Sequence, residues 1–356
     1  MQISPEIQLF IREHSSDDVR VLALQAKKYP DIDMPTVITQ IAGRKVAAEK
    51  IPSWWEIEKI WYPKHLSLEQ CSSEITARYK ARLLQGDSLT DLTGGFGIDC
   101  SFLATGFKSA TYVERQEELC EIAAHNFPVL NLNHINIKNE DGVTYLQAMS
   151  PVDCLFLDPA RRNEHGGKTV AISDCEPNVA ELEELLLQKA NRVMIKLSPM
   201  LDLSLALKEL KQTQEVHILS VNNECKELLI LLGQTSPAEI SIHCVNLFTK
   251  GTQKEQHFVF TREQEQCSEC TYTDSLETYL YEPNASLLKA GAFRSIAAAY
   301  PVRKLHPNSH LYTSDTFIEN FPGRIFRIVN QCSFNKKEVK ENLADLKKAN
   351  VTVRNF

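Results

Sequence analysis

Asp91, Thr93, Gly95 and Gly97 fall within seven residues of one another in the run SLTDLTGGFGID, residues 88–99. A short apolar stretch ends in an acid, glycines follow, and helical spacing begins near Ile98. A strand, a glycine turn and a helix start make a cradle for a nucleotide-sized ligand, because glycine lets the backbone come close and the helix start offers free N–H groups. A dinucleotide turn would read G-x-G-x-x-G. Gly95 and Gly97 supply its first half, but Cys100 stands where the third glycine belongs. Asp91 would also repel a pyrophosphate, so a nicotinamide oxidoreductase is disfavoured. A carboxylate at this strand tip suits a ligand with a positive end, such as the amino group of a methionyl moiety. The competing reading is an ordinary glycine-rich strand-to-helix turn.

Further acids follow in order. Glu114 ends the next apolar stretch, 23 positions after Asp91. It could accept both hydroxyls of a ribose, or simply favour the helix that starts after it. Asp141 in NEDGV could accept an adenine amino group, with Gly142 leaving room for the ring. Glu140 competes for that role, and helix capping is the alternative. LDPARRN, ending at Asn163, closes the fourth strand at the edge where open α/β sheets bind ligands. Asp158 there is a candidate for orienting or deprotonating an acceptor. Arg161 and Arg162 could hold a phosphate or carboxylate of that acceptor, or pair with acids nearby. Residues 161–178 are long for a connection and contain Gly166 and Gly167, as a lid or binding loop would. Ser198 stands where methylation of a pyrimidine carbon would want a cysteine, and Cys225 is a distant substitute. Cys267 and Cys270 form half of a zinc motif with no second half, so no metal is expected.

The elements that must position these residues change character along the chain. Residues 1–85 read as helical, with Pro30, Pro35 and Pro52 as breaks. Ser53 and Glu56 fit a capping box, and residues 67–84 read as one helix carrying Ser72, Ser73 and Thr76. Trp54, Trp55 and Trp61 could stack bases, but packing against the next domain is the expected use. From 86 to 234 strands alternate with helices, the pattern of a parallel sheet, ending in VHILSV and ELLILLG as an antiparallel pair. Residues 239–248 and 255–261 read as a separate hairpin. Over 284–356 twelve Lys and Arg face five Asp and Glu, a local balance of +7 that leaves about -14 on the rest. Such a tail could meet RNA or dock on its own acidic chain.

The 356 residues imply two or three domains, and 43% hydrophobic with 24% charged residues is ordinary for a globular protein. The first residues lack a secretory pattern and no apolar run approaches a bilayer span, so no membrane partner is expected. Ten cysteines without framework spacing fit reduced thiols in a cytoplasm.

DLTGGFG resembles motif I of the class I S-adenosylmethionine-dependent methyltransferases, where acid-x-G-x-G-x-G is usual. Thr93 replaces the first glycine, as in some RNA methyltransferases of the class. LDPARR resembles motif IV. Members acting on exocyclic base nitrogens carry D/N-P-P and an aromatic, whereas Ala160 and Arg161 stand in the last two places here. YEPNASLLKAGAFRSIAAAY, KLHPNSHLYTSD and FPGRIFRI are similar to the THUMP-like C-terminal domain of some bacterial methyltransferases, and residues 240–283 to the small ferredoxin-like module that accompanies it. The resemblance implies a Rossmann-like α/β fold with a seven-stranded sheet, a helical N-terminal region and small α+β C-terminal domains. Its boundaries would be 1–85, 86–234, 235–283 and 284–356. It implies S-adenosyl-L-methionine as cofactor, held by Asp91, Thr93, Gly95, Gly97, Glu114, Asp141 and Asp158. Asp158, Pro159 and Arg161 would serve the acceptor, with RNA as the expected partner. A small molecule or protein acceptor, or a non-catalytic RNA-binding factor, are the alternatives.

Overall fold

The computed structural model describes residues 3–161, 171–235, 237–333, 335–344, 348 and 350, with the side chains of His65 and Arg161 left aside. The chain forms two units, one of residues 1–263 with 285–290 and one of 264–284 with 291–356.

In the first unit, helices Pro5–Glu13, Val19–Leu24, Met34–Lys50, Pro52–Trp55, His65–Gln70 and Glu74–Ala81 precede the sheet. Asp33 caps the longest of them by accepting from the Thr36 N–H, and Pro52 follows its end. Two expectations fail here. Ser53 is not an N-cap: it lies inside the short turn 52–55, and its N–H donates to Glu74 Oε2 at 2.8 Å. Residues 67–84 are not one helix, because the chain breaks at Cys71–Ser73. The break turns Ser72 inward among charged groups that a continuous helix would not reach. The tryptophans pack as expected for two of three: Trp54 meets Phe96 edge-on at 5.2 Å and Trp61 stacks on His125 at 3.7 Å. Trp55 is exposed.

The sheet consists of β1 (Ser88–Asp91), β2 (Ser109–Glu114), β3 (Ile135–Asn139), β4 (Val152–Leu157), β5 (Ala190–Leu197), β6 (Thr213–Val221), β7 (Glu224–Gly233), β8 (Ser241–Leu247) and β9 (Glu255–Thr261). Their spatial order is β9-β8-β6-β7-β5-β4-β1-β2-β3. Strands β1 to β5 run parallel to their neighbours within that set, and β7 lies antiparallel between β5 and β6. Near-continuous apolar runs in β4 and β5 match their central place, covered on both faces. Asn222 and Asn223 take positive φ (49° and 67°) and close the β6–β7 hairpin in the conformation a two-residue turn demands. This is the expected sheet of a class I methyltransferase fold, with two strands added. Strands β8 and β9 were expected in a module of their own over 235–283. Instead β8 pairs parallel with β6 and β9 antiparallel with β8. Its Ile242, Cys244, Val245 and Leu247 are buried, so β8 is a core strand and could not stand in a small exposed hairpin. Helix Ala285–Ala290 also belongs to this unit and packs on β6 and β8.

The second unit holds a four-stranded antiparallel sheet ordered Arg303–Lys304, Tyr312–Ser314, Tyr279–Pro283, Gly323–Arg327. Tyr281, Tyr312 and Phe321 form its core. It begins at Tyr279, ahead of the boundary expected at 284. Among the described residues no helix is long and apolar enough to cross a membrane.

Candidate functional site

The carboxyl ends of β1, β2, β4 and β5 open on a cavity of about 470 Å³. At its floor β1 ends in Asp91, the chain turns through residues 92–97, and helix Ile98–Ala104 begins. Gly95 and Gly97 hold φ of +55° and +86°, a region that side chains strain to enter. Asp91 is 1% exposed. Its Oδ1 accepts from the Thr93 N–H at 2.9 Å, while Oδ2 is buried with no hydrogen-bond partner. Burial pushes this carboxyl up to about 8; the Thr93 N–H opposes that and the neighbouring Asp99, Asp158 and Glu114 add to it. A buried polar atom without a partner is costly unless something binds it.

Glu114 closes β2 and holds the turn: Oε2 accepts from the Gly95 N–H at 2.9 Å and Oε1 from the Gln116 N–H at 2.8 Å. Each oxygen keeps a lone pair for a ligand hydroxyl. Asp141 caps helix Gly142–Ala148 through Oδ1, which accepts from the Val143 and Thr144 N–H groups at 3.1 and 2.9 Å. Gly142 is needed for clearance as well, since a Cβ there would lie 2.2 Å from the Leu92 carbonyl oxygen, and it lines the cavity. The Thr93 hydroxyl accepts from the Asp158 N–H at 2.6 Å and so ties the tip of β1 to that of β4.

Asp91, Thr93, Gly95, Gly97, Glu114, Asp141 and Asp158 all line this one cavity. Pro159 is buried outside it, and Ala160 takes its place in the wall. Arg161 pairs its backbone with Cys175; its side chain, Arg162 and residues 163–170 lie outside the described residues. Ser72 reaches the cavity, whereas Ser73 and Thr76 bond each other beside it. Ser198 and Cys225 do not line it. Cys71 does, but burial pushes its thiol up to about 11, so it is no thiolate nucleophile at neutral pH.

Sequence reasoning missed the groups behind Asp158. Lys196 Nζ lies 2.6 Å from Asp158 Oδ2 and 3.3 Å from Asp99 Oδ2. Lys80, fully buried, reaches Asp99 Oδ1 at 2.9 Å and Glu227 Oε2 at 2.5 Å. Burial pushes the Asp99 carboxyl up, but Lys80, Lys196 and the Ser72 hydroxyl outweigh it and hold it at about 2. Burial likewise pulls Lys196 down, and Asp158, Asp99 and Glu227 overcome it, so this ammonium sits well above the ordinary lysine range. Asp158 is pushed up by burial against the pull of Lys196. With 37% of its side chain open to solvent and an ammonium 2.6 Å away, contact decides for the carboxylate. A lysine inside an apolar strand was the available signal, since such a charge needs a buried partner.

Among the described residues the cavity wall carries seven acidic side chains, Asp91, Asp99, Glu114, Asp141, Asp158, Glu176 and Glu181, against Arg115 and Lys196. It favours a ligand bearing positive charge. Elsewhere, Glu215, His217 and His243 cluster as metal ligands can. The two imidazoles stack 4.3 Å apart at 16°, so their planes share no point where one ion could sit in both, and Tyr79 and Glu215 already bond His217.

A family model described as a ferredoxin-like domain matches residues 279–322, where the small sheet lies and not the 235–283 expected. No curated protein matches. A crystal structure described as a "putative methyltransferase from Porphyromonas gingivalis W83" is 35% identical over 99% of this chain and 88% of that one, with a TM-score of 0.86. Two partial likenesses, each with a TM-score of 0.33, carry no weight in the assignment. One is to an rRNA methylase from Streptococcus thermophilus, at 15% identity over 45% of this chain and 93% of that one. The other is to SMU.1697c from Streptococcus mutans in complex with SAH, at 13% over 45% and 96%. On identity, coverage and sheet order together, this chain belongs to the family of the Porphyromonas gingivalis protein, a family with the class I methyltransferase fold.

Proposed function

We propose that the chain is an S-adenosylmethionine-dependent methyltransferase acting on RNA in the cytoplasm. The observation that carries the cofactor is Asp91 Oδ2, buried and unpartnered at the floor of a carboxylate-lined cavity. An amino group there would satisfy it. Glu114 can take two ribose hydroxyls while holding the turn, and Asp141 can offer Oδ2 to a base amino group while Oδ1 caps its helix. Bound there, the cofactor supplies a methyl group already activated on a sulfonium. What remains for the protein is positioning and removal of a proton. Asp158 orients the acceptor and receives that proton.

RNA is favoured by the basic balance of residues 284–356 and by their THUMP-like sequence. The cytoplasm is favoured by ten cysteines that form no disulfide. One observation favours a second acceptor class: the acidic side chains that outnumber basic ones on the described cavity wall would repel phosphates and attract a small-molecule or protein amine. Transfer of tritiated methyl groups to RNA, protein and metabolite fractions from a deletion strain separates the two. Label in RNA supports the first reading, and label in another fraction replaces it. RNA retention without turnover, unchanged by Asp158→Ala, would indicate a non-catalytic RNA-binding factor.

A further inference from the structure

The groups behind Asp158 form a connected set. Lys80 Nζ donates to Glu227 Oε2 at 2.5 Å and Ser72 Oγ at 2.8 Å, and pairs by charge alone with Asp99 Oδ1 at 2.9 Å, which accepts no hydrogen bond. Lys196 Nζ donates to Ser72 Oγ at 3.1 Å and Asp99 Oδ2 at 3.3 Å, and forms its shortest ion pair with Asp158 Oδ2 at 2.6 Å. Ser72 Oγ donates to Asp99 Oδ2 at 2.7 Å and accepts from both lysines. Two ammoniums face three carboxylates, and the surplus negative charge sits where the set is open. The Asp158 side chain is 37% exposed, against 10% or less for the other four charged members.

Such a set is a poor device for stability, since apolar side chains of the same shape serve as well or better. It is a good device for geometry, because several contacts to each ammonium restrict where the charges can sit. Lys196 makes its shortest contact with Asp158 Oδ2, so its effect on an acceptor passes through Asp158. The Asp158 backbone is fixed separately by Thr93 Oγ1.

We propose that Lys196 is a positioning residue: backed by Ser72, Lys80, Asp99 and Glu227, it fixes the Asp158 carboxylate on the cavity wall as an oriented anion. An acceptor N–H or O–H then meets a hydrogen-bond acceptor of fixed direction and not a carboxylic acid. This rests on reading the cavity as a methyl-transfer site. The charges facing Asp158 are Lys196 and Lys80, which favour the anion, and Asp91 and Asp99, which oppose it.

The test needs no acceptor. Protein labelled with ¹³C at the aspartate carboxyl carbon is titrated by NMR, and Asp158→Asn identifies the resonance. Lys196→Met is expected to raise the Asp158 midpoint by about 1–3 pH units, as loss of an adjacent cation does. Lys196→Arg should restore it. Lys80→Met, which removes the ammonium that does not touch Asp158, should move it less. An unchanged midpoint in Lys196→Met, or equal shifts in the two Met variants, overturns the proposal. If Lys196→Met does not fold, Ser72→Ala loosens the same ammonium and must raise the midpoint by a smaller amount, with no rise counting against the clamp. Calorimetry of S-adenosylhomocysteine on the unmodified protein tests the reading beneath it separately: failure there with a shifted midpoint leaves the clamp standing and removes its purpose.

Discussion

The two ends of the cavity are built differently. The Asp91 end is local: one strand tip, one glycine turn and one helix start supply most of it within 88–104, with Glu114 and Asp141 each added at the next strand's end. The Asp158 end is assembled from distant segments, with Ser72 and Lys80 from the helical region, Asp99 from the first helix after the turn, and Lys196 and Glu227 from β5 and β7. The electrostatics differ as well. Asp91 is a carboxyl that burial drives toward the neutral form for want of a partner. Asp99 is also buried, but two ammoniums hold it charged. A local cradle leaves a carboxyl without a countercharge, and a long-range clamp pairs its charges internally.

The sharpest way to break this contrast is to unbalance the clamp. Lys80→Met leaves Asp99 and Glu227 short of a cation in the interior, and a loss of about 3–5 kcal/mol is expected in the urea midpoint analysis. A loss below about 1 kcal/mol would mean that the charges are not held as described. At the open end the sign reverses. Asp91→Asn should leave the free protein as stable or more stable above pH 8, because it removes a buried charge, while weakening S-adenosylhomocysteine by about tenfold or more.

The pH dependence of stability separates the same two carboxylates. Asp91 is raised when folded, so its contribution is most favourable below the unfolded carboxylate range near 4 and is lost as pH rises through about 8. Asp99 is lowered when folded, so its contribution is complete above about 4 and is lost as pH falls through about 2. Thermal melts of Asp91→Asn should therefore diverge upward from the unmodified protein between pH 5 and 8, and parallel curves would contradict the assignment.

The smallest effect belongs to Asp141. Asn is as good an N-cap as Asp, so Asp141→Asn should cost only a few tenths of a kcal/mol in stability. A several-fold loss of S-adenosylhomocysteine affinity would then report a ligand contact. Unchanged affinity would leave Asp141 a cap alone.

This division also explains what the sequence could reveal. Residues 88–99 carry their geometry in their own types, since glycines at positive φ and an acid at a strand tip are readable without partners. The order of acids after β1, β2 and β3 follows from strand alternation. Lys80 and Lys196, by contrast, are ordinary residues of a helix and a strand until the fold joins positions more than a hundred residues apart. Ser72 was read on a helix face because its neighbours have helical spacing. The end of alternation at Gln234 makes β8 and β9 look like a separate hairpin, yet β8 is buried beside β6.

Calorimetry of S-adenosylhomocysteine binding, repeated from pH 6 to 9 in buffers of different ionisation enthalpy, tests the central claim most directly. An amino group placed on Asp91 favours its ionised form, so binding below pH 8 should release a proton and affinity should rise with pH until it levels near 8. Both the proton release and the rise should vanish in Asp91→Asn. No binding, or binding with the same pH profile in that variant, would contradict the account.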